Sequence, residues 1–176
     1  MSVTGCKTVL VCGSRYWNHV GLIEMMLKSL TRNLHPEQIT IIEGGCRGAD
    51  EISGWVAKQL GMNVIVEKAD WFKYGKAAGP IRNQLMLDKY KPELVFAFHD
   101  DIEHSKGTRD MVERARKAGV KVEVLSLTVE CSAKFRRYCW VPEFLDTLCR
   151  KVGVGLTNAL QQYLETEKQK NEKHNV

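Results

Sequence analysis

The residues best suited to chemistry fall in short runs that each follow an apolar, strand-like stretch. Gly13-Ser14-Arg15 comes after Thr8–Cys12. A glycine lets the backbone approach an anion closely. Ser14 adds a hydroxyl, and Arg15 can fork onto a phosphate or carboxylate. The second run is Glu43-Gly44-Gly45-Cys46-Arg47-Gly48-Ala49-Asp50. Its glycine amides suit a phosphate nest at a helix start, with Arg47 beside them. Asp50 falls where a carboxylate complements the helix dipole, which is its plainer role.

The third run spans residues 70–83 and holds Asp70, Trp71, Lys76, Arg82 and Asn83. Aromatic rings next to cations can stack a base and neutralise its phosphate; the plainer reading is that Trp71 and Phe72 cover the sheet edge. The fourth runs from His99-Asp100-Asp101 to Ser105-Lys106-Gly107-Thr108, where Ser105, Gly107 and Thr108 open a helix and suit an anion. Asp100 and Asp101 fit acid/base work, a hydrated divalent ion or a solvated loop pair. No nucleophile stands at base spacing from His99 or His104, which are read as bystanders.

These runs need elements to position them. Apolar stretches at Thr8–Cys12, Gln38–Glu43, Asn63–Glu67, Glu93–Phe98 and Lys121–Leu125 read as strands. Between them lie helices: one capped by Asn18 and running to Leu30, Asp50–Leu60 stopped by Gly61, one with Pro80 in its first turn running to Tyr90, and Lys106–Ala118. Residues 68–79 read as a loop. Strict alternation implies a Rossmann-like, doubly wound α/β fold with a parallel sheet of about five strands. Open parallel sheets bind ligands beyond the carboxyl ends of their strands, where all four runs fall. Residues 1–127 are expected to form the nucleotide-binding domain. Residues 128–176 are expected to form a helical C-terminal extension, with helix at Glu143–Lys151 and over 156–171.

The chain has 176 residues, enough for a core without staples, and a net charge of +5 that permits an anionic partner without requiring one. None of the six cysteines forms a C-x-x-C pair or stands at metal spacing from a histidine, so no metal and no cofactor is expected. Reduced thiols, no signal-peptide layout and no apolar run of about 20 residues point to a cytoplasmic protein without membrane contact.

The runs at 13–15, 44–50 (GGCRGAD), 70–86 (DWFKYGKAAGPIRNQLM) and 105–108 (SKGT) resemble the YspA branch of the YpsA-related SLOG superfamily over residues 6–127. That superfamily includes the LOG phosphoribohydrolases, which release a base from a nucleotide, the DprA/Smf proteins, which bind single-stranded DNA, and nucleotide sensors. The resemblance implies a nucleotide over the glycine loops and a homo-oligomer. It breaks at the LOG loop PGGxGTxxE: here the chain reads HDDIEHSKGTRDM, keeping Gly107-Thr108 but placing Met111 where the glutamate belongs. A hydrolase would draw its carboxylate from elsewhere, with Asp50, Asp70 and Glu43 the candidates and Asp100 behind them.

Three functions are therefore open. The first is binding of a nucleotide, nucleotide-sugar or ADP-ribose-like ligand with hydrolysis of its N-glycosidic bond. The second is a sensor or sequestering protein that leaves such a ligand intact. A DprA-like binder of single-stranded DNA ranks third, because no stripe of alternating basic and aromatic residues is evident.

Overall fold

A computed structural model describes residues 7–126 of the chain. Its strands are β1 (Lys7–Gly13), β2 (Ile39–Glu43), β3 (Asn63–Val66), β4 (Leu94–Phe98) and β5 (Lys121–Leu125). All pair in parallel, in the order β3-β2-β1-β4-β5. The helices are α1 (Val20–Leu30), α2 (Ala49–Gln59), α3 (Trp71–Tyr74), α4 (Ala78–Tyr90) and α5 (Lys106–Lys117). The expected doubly wound α/β architecture is present. The helices expected at Glu143–Lys151 and over 156–171, and the extension they belong to, lie outside the described residues.

Strand order follows from burial. β4 is buried along its whole length and β1 through its centre, since helices cover both faces. β3 and β5, at the edges, are only partly buried. α1 packs with α2 and α4 with α5, so each pair covers one face. On the α4–α5 face, Leu10, Ile42, Val95 and Ala97 of the sheet meet Met86, Leu87, Met111 and Val112. On the other face Ile23 and Leu27 of α1 and Val56 of α2 are buried. Strand order reverses between β1 and β4, which run parallel with Gly13 and Phe98 paired. A crevice forms at such a switch point because the flanking loops leave in opposite directions.

Local differences from the sequence reading have clear causes. Asn18 does not cap α1. The N-cap is His19, without a side-chain bond, and Trp17 anchors the turn by burying its ring and donating Nε1–H to His19 O at 3.2 Å. The segment over 68–79 is not all loop. Asp70 caps α3 by accepting from Lys73 N–H at 2.9 Å, and a 3-10 turn, Gly75–Ala77, leads into α4 at Ala78. α4 ends where Lys91 adopts a left-handed φ of 45°, just before Pro92.

Candidate functional site

Two glycines decide how β1 meets α2. A Cβ on Gly13 would overlap Phe98 O and lie 2.6 Å from the Ala49 Cβ. Gly48, with φ +81°, leaves no room against Ser14 O. The closeness lets Ala49 N–H, at the start of α2, donate to Ser14 O at 3.1 Å. Ser14 N–H in turn donates to Phe98 O at 2.9 Å, and its hydroxyl accepts from Tyr16 N–H at 3.1 Å. The three central loops are thereby joined backbone to backbone.

The β2–α2 loop turns its amides inward. Asp50 Oδ2 accepts from Gly44 N–H at 3.2 Å and Cys46 N–H at 3.4 Å, and Glu43 Oε2 accepts from Gly45 N–H. Both carboxylates are buried. Burial pushes Asp50 up to about 7, with Arg82 pulling the other way and Glu43 adding to the rise. Glu43 is also raised by burial, against its bond from Gly45 and the charge of Arg82. Of the glycine amides expected to form a phosphate nest, those of Gly44 and Gly45 are thus occupied by the chain's own acids.

Arg82 and Asn83 tie α4 to its neighbours. Arg82 donates through Nη1 to Glu67 O and through Nε to Asn83 Oδ1, both at 3.2 Å. Asn83, buried, donates Nδ2–H to Asp110 Oδ2 at 2.9 Å and to Gly107 O at 3.4 Å. Asp110 also accepts from Arg114 Nε, and Arg114 Nη1 donates to Gln84 Oε1 at 2.9 Å. At α5, Ser105 Oγ accepts from Thr108 N–H at 3.2 Å, the cap expected of a serine there.

Around these groups lies a cleft of about 570 Å³, a size that suits a small organic ligand. Gly13, Ser14, Arg15, Gly44, Asp50, Trp71, Lys76, Arg82, Asn83, Ser105, Gly107 and Thr108 all line it. Glu43, Gly45, Arg47, Gly48 and Asp70 do not. Glu43 accepts from the amide of exposed Gly45, Gly48 lies against the β1 loop, and Arg47 sits 5.0 Å from the Tyr16 ring centre. Asp70 is exposed and serves as the cap of α3.

The floor is apolar, with Val11, Cys12, Met86 and Met111. The rim carries the exposed cations Arg15, Lys76 and Lys106 and the exposed rings of Tyr16 and Trp71. Met111, which replaces the LOG glutamate, is buried and offers no acid. The sequence reading missed Asp110, whose visible signal is its spacing of four from Arg114, and passed over Tyr16 and His99, which also line the cleft. Asp100 accepts from Ser126 Oγ at 3.2 Å, and Asp101 pairs with His104 at 2.8 Å. Among the described residues no group of three or more His, Cys, Asp or Glu could hold a metal ion, and no helix is long and apolar enough to cross a membrane.

A parallel sheet whose strand order reverses between β1 and β4, with its cleft at that switch point, defines a Rossmann-like α/β protein. A family model described as "YspA, cpYpsA-related SLOG family" matches residues 7–74. The chain is also 35% identical over 122 residues to the Gene 61 protein of Mycobacterium phage D29, covering 66% of this chain and 94% of that relative. It belongs to the YspA, cpYpsA-related SLOG family. Among solved structures, DNA processing protein A (DprA) from Streptococcus pneumoniae shares the fold, with a TM-score of 0.54 at 16% identity over 91% of this chain. The chain spans only 56% of that protein.

Proposed function

We propose that the protein binds a small nucleotide-derived ligand (a nucleotide, a nucleotide-sugar or an ADP-ribose-like molecule) in the cleft beyond β1 and β4. The observation that carries this reading is the asymmetry of the cleft. Its floor is apolar, its rim is cationic, and the start of α5 opens onto it. A phosphate fits beside Ser14 and the first turn of α5, with Arg15 and Lys106 near it, because helix N-termini and exposed cations both favour negative charge. The Trp71 and Tyr16 rings suit a planar base. Arg82, fixed by Glu67 O and Asn83, contributes positive charge near the floor.

A second reading adds hydrolysis of the ligand's N-glycosidic bond. One observation favours it: Asp50 lines the cleft and titrates near neutrality, as a general acid or base requires. Against it stand the two amide bonds that already hold Asp50 and the methionine in place of the LOG glutamate. Binding without turnover is therefore the primary reading.

The test is a thermal-shift panel of mononucleotides, ADP-ribose and cyclic nucleotides, with mass analysis of each ligand recovered. A shift with intact ligand supports binding alone. Released base establishes the hydrolase, and Asp50→Asn then locates its acid. No shift with any member contradicts the small-ligand reading and directs attention to single-stranded nucleic acid.

A further inference from the structure

His99 follows β4 directly, beside the point where strand order reverses. Its amide donates to Leu125 O at 2.9 Å, which fixes the backbone that carries the ring. The half-buried imidazole lines the cleft. Its Nδ1 accepts from Asp101 N–H at 3.0 Å. A ring nitrogen that accepts an N–H bond carries no proton, so the ring's proton sits on Nε2. The same loop leads into Ser105 and Lys106 at the start of α5, where negative charge is favoured.

We propose that His99 is a specificity-determining residue of the cleft: its imidazole, held in the Nε2–H form by the Asp101 amide, donates a hydrogen bond to a phosphate oxygen of the bound ligand. This rests on the binding reading above. It assigns the β4–α5 loop a directional donor beside its diffuse positive charge. Such a donor separates a correctly placed phosphate from any other anion, which a lysine alone does poorly.

The experiment uses the full chain, with ADP-ribose and inorganic pyrophosphate as probes in calorimetric titrations. His99→Phe is expected to weaken both probes about three- to ten-fold, the worth of one neutral hydrogen bond. His99→Gln, which keeps a side-chain N–H, is expected to restore most of that loss. Neither variant is expected to shift the thermal midpoint of the free protein, as a purely structural role would. In the free protein, a long-range proton–nitrogen spectrum is expected to show Nε2 protonated and Nδ1 bare. A mixed or reversed tautomer overturns the proposal, as does a His99→Phe chain that binds both probes like wild type. A loss with ADP-ribose alone moves the contact off phosphate and overturns the assignment too. If wild type binds neither probe, the binding reading itself fails; an indifferent His99→Phe beside a wild type that binds sinks only the role of His99.

Discussion

The β2–α2 loop spends its backbone amides on the chain's own carboxylates, whereas the α3 segment and the start of α5 leave rings and charges open to the cleft. In the first region Gly44, Gly45 and Cys46 donate to Asp50 and Glu43, and Gly48 locks the loop against Ser14. In the second, Trp71, Lys76 and Lys106 are exposed. Both regions are rich in the residue types that bind phosphate, so composition alone does not separate them. The difference is what each donor already holds. The β2–α2 loop sets the shape of the floor, and the rim supplies the contacts a ligand can claim.

The largest effect expected from this contrast is at the glycines. Gly48→Ala forces a side chain onto a left-handed φ of +81° and against Ser14 backbone. It should cost about 3 kcal/mol or more in urea unfolding. Gly107→Ala, with nothing within 4 Å of the added Cβ, should stay within about 0.5 kcal/mol of wild type. Equal losses at both would break the comparison.

Asn83→Ala comes next. It strips a buried donor from Asp110 and leaves Gly107 O and Arg82 Nε without their partner. A loss of about 2 kcal/mol is expected, read as a lower denaturation midpoint at unchanged slope.

A pH-dependent effect belongs to Asp50, which burial lifts from 3.8 to about 7. Between those values the unfolded chain releases a proton that the folded chain keeps. Wild-type stability therefore falls as pH rises through that window and levels off above it. Asp50→Asn removes this proton, so its stability relative to wild type should rise across the same window. Glu43, shifted the same way, leaves a residual slope. Unfolding curves collected across the window check the sign. A difference between variant and wild type that stays flat across the window would show that Asp50 is already ionised in the folded protein.

Much of this was legible in the chain. The strands showed as apolar runs because helices cover both sheet faces, and glycines marked where loops had to press together. Asp70 read as a candidate acid because its type and spacing are those of a site residue. Only the backbone reveals that Lys73 N–H holds it as a cap. The occupied amides around Asp50 were equally hidden, since the direction of a side chain across a turn depends on tertiary packing. Asp110 shows in the sequence only its spacing of four from Arg114, the pattern of a surface pair. Its bond to Asn83 crosses between helices, which periodicity cannot show.

The central claim is that the rim binds and the floor shapes. Titration of ADP-ribose into wild type, Lys76→Ala and Trp71→Ala, followed by heat of binding, tests it most directly. Both variants should unfold within about 0.5 kcal/mol of wild type while their affinity falls several-fold or more. Wild-type affinity in both variants, or no binding to wild type at all, would contradict it.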